Sequence, residues 1–227
     1  GIRALKDISR VSGNVKSGHI SFQLAPRINA AGRLDRADIA VKLLTTDNTD
    51  EAVMLARELD IENRARQDIE AEILKEATHV IEKEGLKNAI LLASEKWHQG
   101  VIGVVASKLV DIYYRPTILI SLSGEIGKGS ARGIKAFHIL EGLEACKQHL
   151  ERFGGHKAAA GLTVNKRNIV DFRKAFFDIA AGLNKEDLIP ELTIDADIYL
   201  DELNEKIVTE ILNLAPFGLG NPEPLFC

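Results

Sequence analysis

Cysteine is nearly absent from this 227-residue chain: Cys146 and Cys227 are the only two, far apart. A disulfide framework is therefore excluded as the basis of the fold, and a reducing, cytoplasmic setting is expected. Neither cysteine has neighbours at ligand spacing, so a zinc site is not expected. No apolar run is long enough to span a membrane, and nothing at the start reads as a signal peptide. Internal repeats and low-complexity segments are missing too. There is no excess of positive charge either, since the net charge is −4. Its distribution keeps a polyanion in play. Residues 185–227 carry ten acidic and two basic side chains, which leaves 27 basic against 23 acidic in residues 1–184. Local fields, rather than the global sum, steer nucleic acid. With 45% hydrophobic residues, the chain has enough material for one large or two small domains.

The apolar pattern gives a coarse organisation. Ile2, Leu5 and Ile8 predict a short helix, and Ile20-Ser21-Phe22-Gln23-Leu24 alternates as an extended segment would. From Leu34 through Leu44 the apolar positions fall at helical spacing. Glu51 to Glu84 holds neither Gly nor Pro, and Val53, Ala56, Ile69, Ile73, Ala77 and Val80 recur at helical spacing. Thr49 or Asp50 is expected to cap this run and Gly85 to end it. Uninterrupted, it would be roughly 50 Å of helix at about 1.5 Å per residue. The other reading is two helices broken near Asp60-Ile61-Glu62-Asn63.

Beyond Gly85, short apolar runs alternate with helical patterns. Strands are expected at 89–93, 117–120, 125–132 and 162–164, and helices at 101–114, 137–150 and 169–183. That alternation predicts an α/β domain over residues 86–184, with a mixed sheet flanked by helices. A strand at 192–200, a helix at 203–214 and a Gly/Pro-rich tail follow.

Gly154-Gly155-His156-Lys157-Ala158-Ala159-Ala160-Gly161 is the most informative stretch. Two bare glycines leave backbone N–H groups open to a ligand, and a histidine beside them can donate to an anion. The plain alternative is a Gly-Gly loop, a surface histidine and alanines starting a packed helix. Gly127-Lys128-Gly129-Ser130-Ala131-Arg132 offers glycine N–H groups, a hydroxyl and an arginine fork to a phosphate; the alternative is a glycine-rich edge strand with a solvated arginine. It is not a Walker A loop. Arg27 and Arg33 flank the small residues of Pro26-Arg27-Ile28-Asn29-Ala30-Ala31-Gly32-Arg33. Trp97-His98-Gln99-Gly100-Val101-Ile102-Gly103 opens a helix whose start could hold a phosphate, with packing ranked ahead of base stacking for Trp97. Lys157 and Arg152 are further phosphate candidates. His79, His138 and His149 have no partner at catalytic spacing.

These segments, with Pro216-Phe217-Gly218-Leu219-Gly220-Asn221-Pro222-Glu223-Pro224 near the end, resemble in this order the RecJ family of single-strand-specific 5′→3′ DNA exonucleases, within the DHH phosphoesterase superfamily. The glycine-histidine motif alone would indicate only the DHH-associated domain, shared with oligoribonuclease-like phosphodiesterases and alanyl-tRNA synthetases. The arginine-flanked segment and the Gly/Pro tail are the more specific part. The resemblance implies the end of a DHH catalytic domain at 1–48, a connecting helix at 49–85, the DHH-associated nucleic-acid-binding domain at 86–184 and the lead-in to an OB fold at 185–227.

It also implies manganese or magnesium in a full-length enzyme, single-stranded DNA as substrate, and a single-strand-binding protein and helicase as partners. The superfamily's Asp-His-His motif does not occur here, and Asp195-Ala196-Asp197 lies in the wrong half for its Asp-x-Asp. The chain opens at Gly1 without an initiator methionine. A central piece of a larger enzyme is therefore expected, binding no metal and inactive alone. By the same resemblance, His156 is a donor to the scissile phosphate, while Ser130 and Arg132 contact the strand near its 5′ end. Gly154, Gly155, Lys157, Trp97, His98 and Arg27 or, by preference, Arg33 complete the expected contacts. The alternatives are an oligoribonuclease or cyclic-dinucleotide phosphodiesterase of the same superfamily, or a stand-alone nucleic-acid-binding module.

Overall fold

The computed structural model describes residues 1–33, 36–218 and 220–227, so Leu34 and Leu219 of the segments above lie outside the described residues. The chain divides into two compact units, one of residues 1–64 with 191–227 and one of residues 65–190.

The first unit begins with helix α1 (Ile2–Ile8) and a single turn, α2 (Ser17–His19). Residues Ile20–Leu24 are a wide π-type turn, running directly into α3 (Ala25–Arg33). The extended segment expected from their alternation is therefore not there. Alternation makes a strand only where a neighbouring strand takes one face, and here Phe22 is 82% exposed while Leu24 is buried. Helix α4 covers Ala37–Thr45. The long helix α5 runs from Thr49 to Glu84 without a break at Asp60–Asn63. Its cap is Asn48 rather than Thr49 or Asp50: the Asn48 Oδ1 accepts from Glu51 N at 3.1 Å. Gly85 follows at φ +80°, a left-handed conformation that glycine adopts without penalty. Leu5, Leu24, Ala31, Ile39, Leu43, Leu55 and Leu59 form the core of this unit.

In the second unit, the remainder of α5 is followed by β1 (Ile90–Ser94), α6 (Ile102–Tyr113), β2 (Thr117–Ser123) and β3 (Ile126–Arg132). Then come α7 (Ile139–Ala145), β4 (Arg152–Gly155), β5 (Ala159–Asn165) and α8 (Ile169–Ala180). The five strands form one mixed sheet in the order β1-β2-β3-β5-β4. Strands β1 and β2 are parallel across the α6 crossover, and the other pairs are antiparallel.

One face of the sheet packs on α7 and α8 through Ile118, Ile120, Ala131, Leu162, Val164, Phe172 and Phe176. On the other face, α6 and the later part of α5 cover Ile90, Leu92 and Leu119 with Trp97, Val105, Leu109, Ile73 and Ala77. Helix α7 is shorter than the expected 137–150, because the chain tightens into a 3₁₀ turn at Lys147–His149. The alanines after His156 begin a strand, not a helix.

The expected strand over 192–200 is reduced to one bridge, Ala196 with Phe226. Leu192 and Leu200 are exposed, so no sheet face there rewards the alternation. Helix α9 (Glu205–Leu212) is capped by Asn204, whose Oδ1 accepts from Lys206 N and Ile207 N, both at 3.1 Å.

Candidate nucleic-acid interface

Strand register assembles the site. Side chains directly opposite in paired strands share a face, and successive residues alternate faces. In β3 the buried face takes Gly127, Gly129 and Ala131. A Cβ on Gly127 would lie 2.7 Å from the Ile120 Cγ2, and one on Gly129 would lie 2.7 Å from the Leu162 Cδ1. These glycines let the core helices' side of the sheet close, and the opposite face is left to Lys128, Ser130 and Arg132. The phosphate role expected of the Gly127 and Gly129 N–H groups does not survive this placement. Strand β3 is central and bonded on both sides, to β2 and β5, so its backbone is committed to the ladder.

Three rows cross this second face. Ser130 stands opposite Gly161, which stands opposite Gly154; Lys128 opposes Thr163, which opposes Arg152; and Arg132 opposes Ala159. An ideal Cβ on Gly154 would have no heavy atom within 4 Å, and one on Gly161 would meet only the Gly129 carbonyl at 4.0 Å. The middle of the face is thus a bare backbone floor, open to whatever approaches. Cations edge it: Arg132 on one side, with Lys128 and Arg152 toward one end. The Lys128 Nζ donates to Thr163 Oγ1 at 3.0 Å. Rows along a strand recur about every 6.8 Å.

The Arg132 guanidinium is half-buried and held in place. Its Nε donates to Ser107 Oγ, and one terminal nitrogen donates to Ser130 Oγ and to the Ala131 carbonyl, each at 2.9 Å. The α6 turn bearing Gly103 and Ser107 lies against this corner.

The β4–β5 hairpin loop carries His156 and Lys157, both exposed. Its shape is fixed by backbone bonds: His156 N donates to the Ala159 carbonyl at 2.8 Å, Gly133 N to the Ala158 carbonyl at 2.8 Å, and Ile139 N to the Lys157 carbonyl at 3.0 Å. The Nδ1 of His156 accepts from Ala158 N at 3.3 Å. In the neutral ring that assigns the proton to Nε2, which makes it a donor. Gly155 is required by the fold itself. It sits at φ +154°, and a Cβ there would lie 2.4 Å from the Ala159 carbonyl oxygen and 2.5 Å from the Ala160 Cα. Of the two adjacent glycines, only Gly154 faces open space.

Other sequence candidates fall away for physical reasons. Trp97 is 5% exposed and donates through Nε1 to Glu76 Oε2 at 2.9 Å, so its ring is core and unavailable for stacking. His98 closes the start of α6: its Nδ1 accepts from Gly100 N at 3.1 Å, and its carbonyl accepts from Val101 N and Ile102 N. Three of the N–H groups that might have met a phosphate there are already paired. Arg27 and Arg33 lie on α3, in the first unit. Arg27 donates from Nε to Asp60 Oδ1 at 2.8 Å and from Nη1 to the Gln23 carbonyl at 2.6 Å. Because the Asp60 side chain is 7% exposed, Arg27 balances a buried carboxylate and is withdrawn from the phosphate contacts. Ala30 and Ala31 beside it are fully buried and pack α3. Arg33 ends that helix, half-buried.

Lys128, Gly161, Thr163, Gly103 and Ser107 were not singled out by the sequence. Period-two reading of 126–132 as a strand would have placed Lys128 beside Ser130 and Arg132; the rest needed the strand pairing.

Residues 86–182 match the DHHA1 domain, which defines the class of the second unit. Residues 194–227 match the RecJ OB domain. Over 228 residues the chain is 40% identical to the single-stranded-DNA-specific exonuclease RecJ of Bacillus subtilis (strain 168), covering 97% of this chain and 29% of that protein. It is 33% identical over 238 residues to the RecJ of Escherichia coli (strain K12), covering 100% and 41%. The crystal structure of RecJ from Thermus thermophilus in complex with Mn2+ superposes with a TM-score of 0.90 at 34% identity, covering 99% of this chain and 33% of that one. The chain is similar to the DHHA1 and OB portion of RecJ, and spans between 29% and 41% of the length of such relatives.

Solved RecJ structures carry Mg2+ or Mn2+. Among the described residues of this chain, no three His, Cys, Asp or Glu side chains converge on a possible ion. Asp195, in the one Asp-x-Asp, is turned to a local task, its Oδ2 accepting from Leu225 N at 2.9 Å. The described residues do not fit a divalent ion.

Proposed function

We propose that this chain is the strand-binding portion of a single-stranded-DNA-specific 5′→3′ exonuclease, acting with manganese or magnesium held elsewhere in the full-length enzyme. The observation that carries this is the bare row Ser130–Gly161–Gly154, bordered by Arg132, Lys128 and Arg152. A sugar-phosphate backbone needs close approach to protein backbone, cationic edges and hydroxyl donors, and no base-specific pocket. His156 joins as a donor through Nε2, suited to charge developing on a non-bridging phosphate oxygen. Lys157 adds charge beside it. Arg33 is retained as a candidate for the 5′ phosphate.

The same proposal takes residues 1–48 as the end of a catalytic domain, 49–85 as connector, 86–184 as strand binder and 185–227 as the lead-in to an OB fold. It includes a role in cytoplasmic DNA repair and recombination, with single-strand-binding protein and a helicase as partners.

The test is Arg132→Ala, with binding followed by anisotropy of a 3′-labelled, 5′-phosphorylated oligothymidylate across a salt series. Loss of one phosphate contact should weaken binding about tenfold. It should also make the slope of log K against log salt shallower by about 0.7. Unchanged affinity and slope would reduce Arg132 to surface charge and overturn the assignment of this face.

A further inference from the structure

The Trp97–Gly103 segment was expected to contribute an aromatic ring or a helix start, and both are engaged elsewhere. Its last glycine has a different job. An ideal Cβ on Gly103 would lie 3.0 Å from Ser130 Oγ and 3.1 Å from the Arg132 Nη2, tighter than side chains ordinarily pack. One turn along α6, Ser107 accepts from Arg132 Nε at 2.9 Å and donates to the Gly103 carbonyl at 3.2 Å. The three groups form a relay, from guanidinium N–H to hydroxyl to helix carbonyl, in which the serine uses its donor and an acceptor lone pair at once.

An arginine has several rotatable bonds, and an unanchored one spreads over many positions. A planar fork recognises a phosphate only when its plane is set. Two different nitrogens of Arg132 are fixed by two hydroxyls from two elements, Ser107 of α6 and Ser130 of β3. That leaves the guanidinium no rotation about its own Nε bond without breaking one of them.

We propose that Ser107 is a positioning residue for strand binding: it sets the plane of the Arg132 guanidinium, in room that the absence of a side chain at Gly103 provides. This rests on the reading of the Arg132 face as a phosphate-binding surface. Ser107 acts through Arg132 and has no contact of its own with the strand.

The experiment is a double-mutant cycle on the 227-residue chain, using the same 3′-labelled, 5′-phosphorylated oligothymidylate. The variants are Ser107→Ala, Arg132→Ala and their combination, with Ser107→Thr as the hydroxyl-preserving control; thermal melts check that each is folded. The expected result is a loss of about tenfold for Ser107→Ala, none for the same change in the Arg132→Ala background, and recovery of most of the affinity in Ser107→Thr. A similar loss in both backgrounds would mean that Ser107 meets the strand or merely supports the fold, and overturns the inference. So would full affinity in Ser107→Ala beside a weakened Arg132→Ala, which leaves the phosphate-binding reading standing. If Arg132→Ala itself binds normally, that reading fails and the positioning role fails with it.

Discussion

Replacing Gly161 with valine separates ligand binding from folding more cleanly than any other change in this face. Gly161 lies within β5, opposite Ser130 on one side and Gly154 on the other. Its missing Cβ would have the Gly129 carbonyl at 4.0 Å as its nearest contact, so valine enters open space. A β-branched residue is favoured in a strand, and glycine carries an entropic penalty there. The folded state should gain about 0.5–1 kcal/mol. For a chain of this size that is a rise in Tm of about 1–4 °C. Binding should go the other way. The valine methyls would stand over the bare floor and hold a sugar-phosphate backbone away from the Ser130 hydroxyl opposite. Losing that approach should cost at least about 1.4 kcal/mol, or tenfold in affinity. The assays are a calorimetric melt and oligothymidylate anisotropy on the same preparation. A variant that is at least as stable and binds with undiminished affinity would show that the strand does not use this floor.

Gly155 should behave oppositely, although it is only six residues away and belongs to the same motif. Gly155→Ala places a Cβ 2.4 Å from the Ala159 carbonyl oxygen at φ +154°, and should destabilise by about 2 kcal/mol or more, read as a lower midpoint in a urea titration. A midpoint equal to that of the unsubstituted chain would refute the packing role. The two thiols should also separate: Cys146 is buried, which pushes its pKa up to about 11, whereas Cys227 is exposed. At neutral pH, iodoacetamide should label one thiol in the native chain, at Cys227, and two after denaturation; rapid native labelling of Cys146 by mass spectrometry would contradict its burial.

How much of this was legible in the sequence depends on how far apart the interacting residues are. The long helix α5 was readable because its evidence is local: no Gly or Pro, apolar residues at helical spacing and Gly85 at the end. The same holds for β1, β2, α6 and α8. Alternation misled at Ile20–Leu24 and Leu192–Leu200, because period two describes a side-chain pattern and a strand also needs a partner. Arg27 looked like a phosphate ligand because its true partner, Asp60, is 33 residues away.

The candidate site shows the limit most clearly. The sequence marked both glycine-rich segments as unusual, but gave every glycine the same meaning. Pairing divides them into three kinds. Gly127 and Gly129 are small because the core comes close, and Gly155 because a neighbouring strand does. Gly154 and Gly161 are small with nothing opposite to explain it. A residue whose smallness the fold does not require is where a ligand is the remaining physical reason. Those two glycines are partners across β4 and β5, next to Ser130, and only the register of three strands makes them neighbours. Stability therefore constrains the first two kinds and, on the proposed reading, strand binding the third, which is why Gly155 and Gly161 are expected to respond to substitution in opposite directions.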